Sequence, residues 1–415
     1  MLSLVASKRS CRRAATFVLA VLFLMAIPGV PPSAANRPPE GLVSVEVRLP
    51  PGPRPWPFEN PRNLMVPPGF EVTLFASGLG RPRMMAFGPE GNLYVSVPME
   101  DRVIVLPDRD HDGAADEKVV FAEGLARPHG LAFRDGELLV VESGRLLALK
   151  DRDGDLRADA KRVVSADIPI GGGHWTRSVA TAPGDGIFVS AGSTCNVCVE
   201  EDFRRAAVLR FSPDGGSAKL FASGLRNTVG LAVHPETGEL WGVDNGRDWL
   251  GDELPPEELN RIVSKGDYGW PYCYGHRVPD PDLGSRRRCR STTPPEAEFQ
   301  AHSAPLGIAF GYGLAFPSPY RDVLYIAYHG SWNRTKPTGY KLVGVPFKDG
   351  GPSGPPFDFA TGWLAKGEFW GRPVAPVVGP DGALYLSDDF AGAVYRIAPV
   401  GEDQSLTVGP AGGGI

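Results

Sequence analysis

The side chains with most chemistry to offer sit in short glycine-containing turns. GGGHWTR places His174 and Arg177 behind three glycines, and GLRNTVG places Arg226 and Asn227 in the matching turn of a later, similar segment. HGSWNR supplies His329, Trp332, Asn333 and Arg334, and GRPVAP supplies Arg372. DNGRDWLGDE, starting at Asp244, carries Gly246 and Arg247 into a carboxylate-rich insertion. A neutral imidazole suits general-base work near neutral pH. Guanidiniums recognise carboxylates two oxygens at a time. His174, Arg226, Arg334 and Arg372 have few acidic residues in their own turns. Gathered at one mouth, they would call for a flat polyanion or a ligand with several carboxylates. Two other turns alternate aspartates around a glycine: DRDHDGAADE, with Asp108, Asp110 and Asp112, and DRDGDLRAD, with Asp151, Asp153 and Asp155. They resemble the first half of an EF-hand loop but lack the glutamate at its twelfth position. Structural calcium sites and plain acidic turns are equally open readings.

These turns recur because the chain repeats. A short strand, a Gly-Leu turn, an apolar strand, a Gly-containing turn and a Leu/Tyr/Val-rich strand appear at Glu71–Ser96 and Lys118–Glu142. The third to sixth copies are Arg177–Gly192, Lys219–Gly246, Ser303–Gly330 and Gly371–Asp389. A further short strand follows each: Arg102–Leu106, Arg145–Lys150, Ala207–Phe211, Arg261–Ser264, Lys341–Val345 and Ala393–Ile397. Short apolar strands divided by Gly/Asp/Pro turns read as antiparallel β. Four strands in each of six units predict an all-β, six-bladed β-propeller. The chain opens on Glu71–Ala76, of the type that elsewhere ends a blade, and its last repeat stops one strand short. The N-terminal strand is therefore expected to complete the last blade, which removes free edges. Seven blades or two β-sandwiches are the competing counts.

Composition agrees. The chain has 415 residues, 42% hydrophobic and 22% charged, which excludes a disordered polymer. A net charge of −5 argues against a nucleic-acid binder. With 52 Gly and 42 Pro, and no collagen period, the chain must turn often. Lys8, Arg9, Arg12 and Arg13 precede the apolar run Ala14–Pro28, and Ser33–Ala35 are small, the order of a secretory signal. Residues 1–35 are thus expected to direct the protein to the periplasm or outside the cell, with an uncleaved anchor as the alternative. No other stretch could span a bilayer. Residues 36–66 read as a Pro-rich segment that wraps the outside or remains extended, 67–400 as the propeller and 401–415 as a disordered tail. Cys195, Cys198, Cys273 and Cys289 suit an oxidising compartment. Neighbours would pair most simply, although four cysteines allow three connectivities and a C-x-x-C can be redox-active or bind metal.

Taken together, GGGHWTR, GLRNTVGLAVHP, DNGRD…GDELPPEELNRI…GDYGWPYCYG, HGSWNR…GYKLV and GRPV…GPDGALYLSDD resemble the soluble quinoprotein sugar dehydrogenases. That family includes glucose, sorbosone and pyranose dehydrogenases and uses pyrroloquinoline quinone (PQQ). The likeness is greatest to the sorbosone/pyranose type. It implies that His174 is the general base that takes the substrate's hydroxyl proton while hydride passes to C5 of the quinone. It implies that Arg226 stabilises charge at the quinone oxygen and that Asn227 lies beside it. Arg177, Arg334 and Arg372 would contact the cofactor, the last two through its carboxylates. The backbone carbonyls of Gly246 and Arg247 would bind an active-site Ca²⁺. Two positions depart from the pattern: Ser193 replaces the aspartate that orients the base in the glucose branch, and Arg247 replaces a proline. The implied activity is oxidation of an anomeric hydroxyl or hydrated aldehyde to a lactone or acid, with electrons passed to an external quinone or cytochrome. The rivals are a gluconolactonase-type metal-dependent hydrolase and a non-catalytic propeller that binds protein or glycan.

Overall fold

The computed structural model describes residues 41–182, 184 and 186–401. The expected signal and tail lie outside these residues, apart from Gly401. Six antiparallel sheets follow one another along the chain. From the innermost strand outward, blade 1 is Met85–Phe87, Leu93–Val97, Arg102–Leu106 and Val119–Ala122, and blade 2 is Leu131–Arg134, Glu137–Glu142, Arg145–Lys150 and Ala160–Ser165. Blade 3 is Arg177–Ala182, Gly186–Ala191, Ala207–Phe211 and Lys219–Ser223; blade 4 is Thr228–Val233, Leu240–Asp244, Glu257–Ile262 and Ala297–Phe299. Blade 5 is Pro305–Phe310, Val323–Tyr328, Lys341–Lys348 and Phe357–Ala360. Blade 6 is Pro373–Val378, Leu384–Asp388, Ala393–Pro399 and, from the start of the propeller, Phe70–Ala76. The closing strand pairs antiparallel with Ala393–Pro399, from Phe70 opposite Pro399 to Ala76 opposite Val394. The protein is the six-bladed propeller its repeats imply.

Burial explains the continuous apolar runs. Leu93–Val97 is buried at every position because both faces of a blade pack against neighbours. Separate apolar clusters fill the gaps between successive blades. Tyr94, Val103, Leu138 and Val140 join blades 1 and 2, while Phe75, Tyr385, Leu93 and Val95 join blades 6 and 1. Met84, Val229, Leu306, Val374 and Ala375 form a further cluster beside the axis. The repeated glycine of RPHGLAF and NTVGLAV also has its reason there. A Cβ on Gly130 would lie 2.7 Å from Arg177 O, and one on Gly230 would lie 2.2 Å from Leu306 O. Inner strands approach too closely at the axis to admit a side chain.

One sequence reading changes. The third strand of blade 4 is Glu257–Ile262, not Arg261–Ser264. Its start is disguised by Glu257 and Glu258, carboxylates that the structure buries. Of the two readings of the Pro-rich segment, the described residues follow the wrapped one. Val43–Glu46 pairs with Asn63–Val66, and Arg48 exchanges backbone hydrogen bonds with the closing strand at Val72 and Leu74. Val47, Phe58, Leu64 and Val66 enter the cluster between blades 5 and 6. The segment thereby covers the edge at the ring's seam. Both disulfides join sequence neighbours, Cys195–Cys198 and Cys273–Cys289. Among the described residues, no helix is long and apolar enough to cross a membrane.

Phe70, the first residue of the closing strand, packs edge-on against Phe316, Tyr320 and Phe359 with centroids 4.8–5.4 Å apart. Phe70→Ala should lower unfolding stability by about 3–5 kcal/mol, the cost of emptying a filled aromatic site. Urea denaturation measures it, and an unchanged midpoint would show that the seam is held elsewhere.

Candidate active site

Antiparallel order fixes which residues can meet. In each blade the inner strand begins at the end of the sheet where the second strand finishes. Turns entering inner strands and loops leaving second strands therefore share one rim. Arg83, His129, His174, Arg226 and Arg372 precede inner strands, and Ser193, Asn245, His329 and Asp389 follow second strands. Cross-blade hydrogen bonds tie them together, such as Ser193 N to Arg226 O (2.8 Å) and Arg83 to Asp389 (2.8 Å).

His174 is half-buried, and its Nδ1 lies 2.9 Å from Ser193 Oγ and 3.0 Å from Ser193 O. The Ser193 hydroxyl donates its own proton to Cys195 O at 2.7 Å. Both serine oxygens facing the ring can then only accept, so Nδ1 carries the hydrogen and Nε2 keeps its lone pair. Ser193 thus fixes the tautomer an aspartate would fix, but adds no negative charge. Burial, and then the Arg226 guanidinium, push His174 down to about 4. The imidazole is neutral above that pH. The close fit requires Gly192, where a Cβ would lie 2.6 Å from His174 Cβ and 2.7 Å from Asn227 Oδ1.

Arg226, only 4% exposed, is held from several sides. Nη1 donates to Gly246 O (2.7 Å) and Asn245 O (3.2 Å), Nε to Asn196 O (2.9 Å), and Nη2 to Asn196 Oδ1 (2.8 Å) and Asp248 Oδ2 (3.2 Å). Below it, Asp244 accepts from the amides of Arg226 and Asn227 and from the Thr228 hydroxyl. Glu257 accepts from Gly246 N at 2.8 Å. Burial pushes these two acids up, to about 6 and about 7.

Across the mouth, Asp389 bridges Arg83 and His329 Nε2, each at 2.8 Å, and those partners hold its carboxyl far below the usual range despite burial. Burial outweighs Asp389 at His329 and pushes that imidazole down to about 4. Arg372 donates to His329 O (3.1 Å) and Gly330 O (2.7 Å) and lies over Tyr340 and Phe369. Arg83 and Arg127 lie over the ring of Trp175, which His129 meets edge-on. Sequence reasoning assigned no role to Arg83, His129, Trp175, Asn196, Asp248 or Asp389. A signal existed for two: Arg83 and His129 stand two residues before their inner strands, as Arg226 does.

The turns carrying the arginines are poor in acids, but Asp248 and Asp389 reach the mouth from other loops, and Asp388 ends the second strand of blade 6. Arg177, 2% exposed, spends its guanidinium on His174 O, Thr176 O and Pro169 O. These bonds brace the His174 turn, and Nε is buried without a partner. Arg334 is drawn into the insertion, donating to Asp252 O, Glu253 Oε1 and Ala301 O. The Arg247 side chain pairs with Asp280 and Asp282. In the two aspartate turns, carboxylate oxygens of Asp108, Asp110 and Asp112, and of Asp151, Asp153 and Asp155, lie within 4.8 Å of one another. They accept from backbone amides of their own loops, as an acidic turn does without an ion.

The donor set fits the groups implied by the resemblance. Arg83 Nε and Asn227 Oδ1 are buried without partners, and Arg372 has no carboxylate within ion-pair distance among the described residues, so polar capacity remains for a carboxylated ring. Gly246 O and Asn245 O converge on one point, the all-oxygen environment a hard cation takes. Arg226 Nη1 occupies that point, so a metal there would require Arg226 to withdraw from Gly246 O. Among the described residues, the remaining cluster of three metal-ligating side chains, Cys195, Cys198 and Glu200, contains two sulfurs bonded to each other. Among the described residues, no group of three metal-ligating side chains lies at the mouth apart from this disulfide-bonded one.

Residues 64–399 match a family model described as TrAA12-like. An uncharacterized protein of Borreliella burgdorferi is 29% identical over 353 residues, 80% of this chain and 90% of that protein. A pyrroloquinoline quinone-dependent pyranose dehydrogenase of Coprinopsis cinerea is 25% identical over 79% of this chain, which spans about half of that relative (54%). A pyrroloquinoline quinone-dependent sugar dehydrogenase of Hypocrea jecorina is 24% identical over 81% of this chain and 89% of its own. Among solved structures, the holo PQQ domain of the Coprinopsis pyranose dehydrogenase superposes with a TM-score of 0.70 at 22% identity, over 85% of this chain and all of that one (100%).

Replacing Ser193 by aspartate tests the electrostatics directly. In the wild type, the His174 imidazole should titrate near 4 by NMR. A carboxylate facing Nδ1 favours the imidazolium, so Ser193→Asp should move that midpoint upward. A wild-type midpoint at or above the ordinary histidine value of about 6.5 would contradict the buried, Arg226-facing geometry.

Proposed function

The chain belongs to the TrAA12-like family, and on that premise we propose that it is a PQQ- and Ca²⁺-dependent dehydrogenase of sugars. Aldoses or sorbosone-type aldehydes would be oxidised to lactones or acids. The observation that carries this reading is His174 Nε2, the unprotonated nitrogen of a tautomer fixed by Ser193, beside a buried arginine in a carboxylate-receptive mouth.

A carbinol carbon gives up hydride readily only as its hydroxyl proton leaves. His174 Nε2 takes that proton, and the bond from Nδ1 to Ser193 keeps the ring oriented while it carries charge. Arg226, largely buried, supplies positive charge beside the base. Arg83 and Arg372 would hold the ring carboxylates, and the carbonyls of Gly246 and Arg247, with Asn245 O alongside Gly246 O, would hold the metal. When bound, the quinone supplies the two-electron acceptor and the calcium polarises its carbonyls as a Lewis acid. The signal-like N-terminus and the two disulfides support work in the periplasm or outside the cell, with an external quinone or cytochrome as the final acceptor.

Purified protein, reconstituted with PQQ and Ca²⁺, should reduce a redox dye with at least one member of a panel of aldoses and sorbosone, and only with both additions. His174→Ala should retain the quinone and lose about 10²–10⁴-fold in turnover. Arg372→Ala should weaken quinone binding about 10–100-fold, the worth of a charge-assisted hydrogen bond. Lactone hydrolysis without quinone, or failure to bind quinone at all, would overturn the proposal.

A further inference from the structure

Two tryptophans on the rim are unused by this mechanism. Trp249 is 68% exposed and Trp332 66%, and their rings meet edge to face at 5.2 Å. Water is a poor environment for an indole, yet both loops are built to hold these rings outward. Trp249 has φ 72°, a left-handed backbone that bulky side chains seldom adopt. The two loops are stapled together. Asn333 Nδ2 donates to Asp248 Oδ1 (2.8 Å) and to His302 Nδ1 (3.3 Å), and His302 Nε2 donates to Gly251 O (2.8 Å). Arg334 joins Asp252 and Glu253, and Thr335 N donates to the Asp252 carboxylate. Arg334 therefore serves this wall.

The wall is continuous with the catalytic groups. Asp248, one residue before Trp249, also accepts from Arg226 Nη2 at 3.2 Å. Immediately beyond lie Asp252 and Glu253, the latter with a side chain 75% exposed. A pyranose ring offers an apolar C–H face that an indole can cover and hydroxyls that free carboxylate oxygens can accept. A fixed pair of perpendicular indoles loses little conformational freedom on binding such a ring. We propose that Trp249 and Trp332 form a second sugar subsite, which binds the pyranose unit next to the one being oxidised. The favoured substrates are then oligosaccharides entering by their reducing ends. This inference rests on the sugar-dehydrogenase reading above.

The test uses the full protein loaded with PQQ and Ca²⁺ and measures both calorimetric binding and steady-state kinetics. The probes are cellotetraose, maltotetraose and xylotetraose against glucose and xylose. At least one tetrasaccharide should bind about tenfold or more tightly than its monosaccharide. Trp249→Ala and Trp332→Ala should each erase that preference while leaving the monosaccharide KM within about twofold, and Trp332→Phe should retain most of it. Because Trp249 has an unusual backbone, Trp332→Ala decides the matter if the first variant fails to fold. Tetrasaccharide binding that is lost in the variants, without any turnover, would keep the subsite and remove the oxidation. Three results would overturn the subsite and leave the oxidation standing: no tetrasaccharide preference in an active wild type, equal weakening of monosaccharides, or loss confined to reoxidation by a protein acceptor.

Discussion

The hydrogen-bonded seam between Phe70–Ala76 and Ala393–Pro399 is the constraint on which the rest depends. His174 enters from blade 3, Arg226 from blade 4, Arg372 from blade 6 and Arg83 from blade 1. These segments are far apart in sequence. Their common mouth exists because six sheets close into a ring, and the ring closes because the first strand of the propeller completes its last sheet. The Val43–Glu46 and Asn63–Val66 hairpin protects the same seam, packing with Phe359, Trp363 and Tyr395. Glycines on the inner strands let the sheets meet near the axis.

Closure brings together charges that would be costly to bury alone. The arginines of the mouth are compensated by acids and carbonyls from their own and neighbouring blades, and buried charges of this kind persist only when paired. Arg226 meets Asp248 and three backbone carbonyls, Arg83 meets Asp389, and Arg372 meets two carbonyls beside the Tyr340 and Phe369 rings. Within that network the base is kept weak and available. An aspartate partner would strengthen it but would hold a proton to higher pH. The Ser193 hydroxyl, with its proton committed to Cys195 O, orients the ring without that effect. The adjacent Cys195–Cys198 disulfide helps to fix where that carbonyl lies.

The fold was legible because a repeat is a property of sequence. Third strands such as Arg102–Leu106, Arg145–Lys150 and Ala207–Phe211 have the bounds read from their patterning. Blade 4 was misread because Glu257 and Glu258 look like surface residues until the sheet buries them. At the site, residue type pointed to His174, Arg226 and Arg372, which the fold brings to one rim. Direction was not legible. Arg177 turns back to carbonyls of its own turn, and Arg334 turns to Asp252, Glu253 and Ala301 in other loops; one-dimensional spacing does not encode either choice. Asp248 and Asp389 escaped notice for the same reason: each finds its arginine in a different loop, Asp248 within blade 4 and Asp389 across the boundary between blades 6 and 1.

The central claim is that side chains distant in sequence, gathered by ring closure, bind one flat carboxylated ring beside a neutral base. A crystal structure of the protein soaked with PQQ and Ca²⁺ tests it most directly. The account predicts quinone density in the mouth, between His174 and Arg226 on one side and Arg83 and Arg372 on the other, with Arg226 displaced from Gly246 O by a cation. Ordered quinone bound on another face, or a saturated crystal with an unchanged mouth, would contradict it.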